Sequence, residues 1–189
     1  MKLTSFGLVA LAMTSGSGGH ASEFIVVKDG VVESYYGVPK SLKLTDVGAL
    51  PFRHKEGVKL GLEGLTSRTT TITAFNNVEV TVLFDRRGEF LEANTKSRRA
   101  LDPRGVRVGD KLVRAQKVWP EGKLYYGHLI EGGRPYAIFM TGTNVILGLT
   151  DNIQDMEQAP SNVHVKEIRI VGYSTAISTR KKALEQKLR

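Results

Sequence analysis

An α+β fold dominated by antiparallel β-sheet is what this sequence predicts, on three observations. Val78 to Phe84 and Val163 to Val171 alternate apolar and polar residues, the period of a half-buried strand. Turn signals such as Asp29-Gly30, Asn76-Asn77 and Asp85 to Gly88 recur between runs of this kind. Only one central segment, residues 110–119, carries a well-marked helical spacing.

Taken in order, Glu23 to Tyr36 places two apolar runs around Asp29-Gly30, which predicts a two-residue hairpin. Gly37-Val38-Pro39 is expected to end its second strand, because Pro cannot donate to a ladder. Lys40 to Gly64 is punctuated by Gly48, Gly57, Gly61 and Gly64 and reads as loops with one or two short strands, such as Val58 to Leu62. Thr69 to Phe75 is β-branched, Val78 to Phe84 alternates, and Glu89 to Thr95 returns after the Asp85–Gly88 turn, so a meander is expected. Asp102-Pro103 turns the chain. Asp110 is expected to cap a helix on which Leu112, Ala115 and Trp119 share a face, and Pro120 stops it. Leu124 to Ile130, Tyr136 to Met140, Asn144 to Leu149 and Val163 to Val171 are the remaining expected strands.

The 189 residues correspond to one domain, with 41% hydrophobic and 24% charged residues, enough to bury a core. Residues 1–21 read as a secretory signal: Lys2, the short apolar run Phe6 to Met13, and small residues at Gly19 and Ala21, with cleavage expected after Ala21. Residues 22–178 are then the domain, and 179–189 a basic tail or short helix. The apolar run is too short to span a bilayer, and no later stretch reaches ~20 apolar residues. The chain has no cysteine, which excludes disulfides, thiolate metal sites, a Cys nucleophile and a lipobox anchor. A periplasmic or secreted location is expected.

The formal charge of +8 falls only by Lys2 on removal of residues 1–21. Its excess gathers between Asp85 and Lys117, at Arg86, Arg87, Arg98, Arg99, Arg104 and Arg107 among others, and again in the C-terminal tail. A basic field favours anionic partners, and for an exported protein nucleic acid is the least expected of these. The competing explanation is an ordinary solvated surface.

Sites of chemistry have weak signals. His54, His128 and His164 show no metal-ligand spacing, and no G-x-S-x-G occurs, so a hydrolase would need a site assembled around His128 or His164 from distant residues. Among the acids, no pair stands out for glycoside cleavage. Gly105 to Lys111 has three residues between its glycines, not the four of a phosphate loop, and Asp110 would repel an anion there. Trp119 with one of Tyr125 or Tyr126 offers a stacking platform, although a core role suits these aromatics better. The candidate binding residues are therefore Arg86, Arg87, Arg98, Arg99, Arg104, Arg107, Trp119 and Tyr126; no metal or cofactor is expected.

The run Gly105-Val106-Arg107-Val108-Gly109-Asp110, then a helix, Trp119-Pro120 and strands ending in Val165 to Val171, resembles a module of bacterial envelope proteins. Small periplasmic proteins and lipoproteins of unknown function carry it, and the BamE-like fold is similar in outline. The resemblance covers roughly residues 78–171 and implies a structural or binding role, with no catalytic residues. The expected function is a non-enzymatic envelope protein that binds a protein partner or an anionic polymer. The alternatives are the hydrolase above and a binder of anionic lipid or nucleic acid through the basic face.

Overall fold

Asp29 and Gly30 both take positive φ, 51° and 75°, the primed-turn geometry that matches the twist of two paired strands. They fold β1 (Ile25–Lys28) back on β2 (Val31–Tyr35). Tyr36 and Gly37 repeat the geometry at 51° and 83° and bring in β3 (Val38–Pro39), so Pro39 sits on the last strand of a three-stranded sheet and does not simply end the second. A side chain at Gly37 would meet the rings of Phe75 and Phe52, so space as well as φ demands glycine there. The computed structural model describes residues 24–60, 66–128, 135–149 and 162–172; the expected signal segment, the basic tail and the Glu131 to Arg134 turn lie outside them.

A 3-10 turn, Leu44–Ala49, leads to β4 (Arg53–Leu60), longer than the glycine-rich sequence predicts. Its eight residues each pair with β5 (Thr66–Thr73), and that ladder overrides the weak strand preference of Gly57. Asn76 and Asn77 turn the chain at positive φ into β6 (Glu79–Phe84), on which Val80, Val82 and Phe84 are buried as the alternation requires. The Asp85 carboxylate accepts from Arg87 N and Glu89 N and sets the turn into β7 (Phe90–Thr95).

The central helix, α1 (Leu112–Val118), is shorter than the expected 110–119 and is not capped by Asp110. That carboxylate accepts from Arg107 N instead, at 2.8 Å, and pairs with Arg114 at 3.1 Å. The start of the helix is held from a distance: Leu112 N donates to Val163 O, and Gly109 N to Val165 O. This also corrects the last strand. Residues 163–165 are spent on the segment before α1, and β11 (Glu167–Val171) begins only after them. Between lie β8 (Lys123–His128), β9 (Pro135–Met140) and β10 (Val145–Gly148).

Strands β4 to β11 form one sheet in the order β4-β5-β6-β7-β11-β10-β9-β8, with every neighbouring pair antiparallel. It is two consecutive four-strand meanders joined through their last strands, β7 and β11. The sequence shows no matching internal repeat. One face carries the core: Ile72, Val82, Ala93, Ile168, Leu147 and Phe139 are buried there, and the small sheet adds Val32, Tyr35 and Val38 to the same cluster. No helix among the described residues is long and apolar enough to cross a membrane.

One side chain ties the small sheet to the large one. Asn144, 1% exposed, accepts from Val32 N at 2.9 Å and donates to Val32 O at 3.0 Å, as a neighbouring strand would. Asn144→Ala leaves both buried groups of Val32 unpaired and should cost ~2–4 kcal/mol in urea unfolding. A loss under ~1 kcal/mol would mean that water replaces the amide.

Candidate functional site

The stretch between β7 and β8 is built on Asp102, which is fully buried. Asp102-Pro103-Arg104-Gly105 is a turn in which Gly105 N donates to Asp102 O at 3.0 Å and Gly105 sits at φ 84°. One carboxylate oxygen accepts from Arg104 N at 2.8 Å and Val106 N at 2.9 Å. The other accepts from the Trp119 indole N–H at 2.6 Å. Burial pushes the carboxyl of Asp102 above its ordinary value, against the pull of these donors toward the charged form.

Arg104 closes the arrangement from outside. Its guanidinium lies 3.8 Å from the centre of the Trp119 ring, donates to Val118 O at 3.0 Å and pairs with Glu121 at 2.7 Å. Arg114 donates to Gly105 O at 3.2 Å and pairs with Asp110. Trp119 is 3% exposed, with Arg104 over its face, so it offers no open platform to a ligand.

Tyr35 and Tyr36 fix the start of the stretch. Tyr35 Oη donates to Leu101 O at 2.9 Å, and Tyr36 Oη accepts from Leu101 N at 2.9 Å. The Tyr36 hydroxyl also donates to Arg99 O at 3.4 Å. Burial raises the pKa of Tyr36, while the Leu101 N–H and the nearby positive charge of Arg107 lower it. Leu101 and Arg107 face each other in an antiparallel bridge.

Arg98 and Arg99 shortly precede Leu101, which bridges to Arg107, so the three lie on neighbouring segments after β7. All three are exposed, and none pairs with a carboxylate among the described residues. Arg104 belongs to the same stretch, but its donors are engaged. Arg86 and Arg87 do not join them: they lie in the turn before β7, and Arg98 and Arg99 follow it, so the length of a six-residue strand, ~20 Å, separates the pairs. Tyr126 lies on β8 opposite Ala137, and its side chain is outside the described part.

The described histidines have no catalytic company. His54 and His164 are exposed, without a hydrogen bond to serine or carboxylate among the described residues, and the side chain of His128 is not described. No group of three His, Asp or Glu among the described residues is placed to hold a metal ion. A shallow depression lined by Ser34, Lys40 and Phe90 has no enclosed space for a small molecule.

Sequence reasoning missed Asp102, Tyr35 and Tyr36. Asp-Pro-x-Gly was the available signal for the first, since Asp at the first position of such a turn accepts from the backbone two residues on. The tyrosines had none, because their partner is 66 and 65 residues away.

No family model and no curated protein matches this chain. Among solved structures, it is similar to the crystal structure of the uncharacterized protein YfeY from Escherichia coli. The identity is 14%, over 75% of this chain and 92% of that chain, with a TM-score of 0.49.

Asp102 makes stability depend on pH. Its folded pKa is raised, so the folded protein holds the proton more tightly than the unfolded chain. Its contribution is complete below the ordinary carboxyl value of about 3.9 and is lost as pH rises through the raised folded value. Asp102→Asn should flatten this part of the Tm–pH profile, and Asp102→Ala, which strands the buried donors Val106 N and Trp119 Nε1 together with Arg104 N, should cost ~3 kcal/mol at neutral pH. A Tm–pH profile of Asp102→Asn that overlays the wild type would show that the carboxyl does not titrate there.

Proposed function

We propose that this chain is a non-enzymatic, exported envelope protein that binds an anionic envelope polymer or the acidic surface of a protein partner. The observation that carries the reading is the group Arg98, Arg99 and Arg107: three exposed guanidinium groups with no carboxylate partner among the described residues. The backbone that presents them is held by Tyr35, Tyr36 and Asp102. Little ordering cost then remains in the backbone when an anion binds. Arg guanidinium suits carboxylate and phosphate oxygens because it offers two parallel donors.

In this reading the fold is α+β with α1 as its one central helix, residues 22–178 are a single domain, and residues 179–189 are a basic tail whose Arg180, Lys181 and Lys182 add to the net positive charge. Roughly residues 78–171, with the glycine turn, helix and sheet, are the part that resembles the envelope module, and residues 1–21 are the export signal. Anion binding through long-range charge suits the basic balance of this chain.

Sedimentation with purified lipopolysaccharide tests this directly. Affinity should fall steeply as salt rises. The triple variant Arg98→Ala/Arg99→Ala/Arg107→Ala should bind ~10-fold more weakly or worse, and Arg86→Ala/Arg87→Ala within ~2-fold of wild type. Equal loss in the two variants would return the effect to net charge alone and remove the site. Mass spectrometry of the exported protein should find a mature N-terminus at Ser22.

A further inference from the structure

The large sheet ends, among the described residues, on β4, with neither face covered from Arg53 to Val58. In β4 every residue from Arg53 to Val58 is exposed, and Val58 is 68% exposed. The topology leaves the outer edge of β4 without a neighbouring strand among the described residues. Such an edge presents unpaired backbone donors and acceptors in a row, the template for adding one more strand.

The side chains say what would fit. Residues directly opposite each other in a ladder share a face. His54 and Glu56 oppose the buried Ile72 and Thr70 and so lie on the core side, while Arg53 and Lys55 oppose Thr73 and Thr71 on the other. Centred on Lys55 to Gly57, a second copy pairs badly. Antiparallel pairing about a two-fold axis keeps like faces together, so paired residue numbers sum to an even value. Centred on Lys55, Glu56 or Gly57, it sets Lys55 against Lys55, Glu56 against Glu56, or Lys55 against Lys59. Like charges directly opposite are destabilising.

We propose that β4 is a docking edge for an extended acidic segment of another protein, added antiparallel as a ninth strand. The segment carries carboxylates at alternate positions against Arg53 and Lys55 and an apolar residue against Val58. This site involves none of Arg98, Arg99 and Arg107, so it stands or falls separately from the polymer-binding reading.

The test is fluorescence anisotropy of the full chain with the labelled peptide Ser-Glu-Val-Thr-Lys-Glu-Thr-Glu-Ser. A control peptide with both Thr replaced by Pro keeps the charge but cannot complete a ladder. Saturable binding to wild type is expected, ~10-fold weaker or worse for the Pro control and for Arg53→Glu/Lys55→Glu, and within ~2-fold for Arg98→Ala/Arg99→Ala/Arg107→Ala. Equal binding of the two peptides, or loss confined to the triple variant, overturns the proposal, as does no saturation by ~1 mM. So does a peptide-free dimer that Arg53→Glu/Lys55→Glu dissociates, which would assign the edge to a second copy.

Discussion

A carboxylate without access to water needs donors, and the link between the two halves of this fold is arranged around that need. Taking an ion out of water costs several kcal/mol, and only well-placed hydrogen bonds recover it. Asp102 has three: Arg104 N, Val106 N and the Trp119 indole. The first two close a local turn, and the third reaches 17 residues along the chain to the end of α1. The helix therefore cannot leave the turn without exposing both Trp119 and an unpaired charge. Arg104 and Glu121 then cover the outside of the same contact.

The same device, a side chain that satisfies someone else's backbone, recurs wherever distant segments meet. Tyr35 and Tyr36 take both polar groups of Leu101, and Asn144 takes both of Val32. Residues 163–165 provide backbone partners for the start of α1, which has no side-chain cap of its own. Each arrangement meets the requirement that buried backbone groups be paired where regular ladders stop. The short sheet, the helix and the large sheet are joined mainly by these bonds and by the shared apolar cluster.

Charge is distributed by topology more than by sequence. Arg86, Arg87, Arg98 and Arg99 are within 14 positions of one another, yet β7 lies between the pairs and carries them to opposite ends of the sheet. Arg104 and Arg114 look equivalent to their neighbours in the sequence, but their donors are engaged by Glu121, Asp110 and backbone carbonyls. What survives as an open positive surface is a smaller, better-defined set. On β4 the cations at alternate positions disfavour self-pairing of an edge that has no neighbouring strand among the described residues.

Local chemistry was legible in the sequence by itself. Asp29-Gly30, Asn76-Asn77 and Asp85 to Gly88 are turns because their own φ preferences and short-range bonds make them so. Val80, Val82 and Phe84 are buried together because a strand has a period of two. The predominance of antiparallel sheet follows from such signals. The tertiary structure alone decided the pairing of β7 with β11, the short start of β11, the left-handed Tyr36 and the partners of Asp102, Asp110 and Asn144. The reason is physical: these choices are set by burial and by the pairing of polar groups up to 112 residues apart, and a residue's partner at that distance leaves no mark on its neighbours.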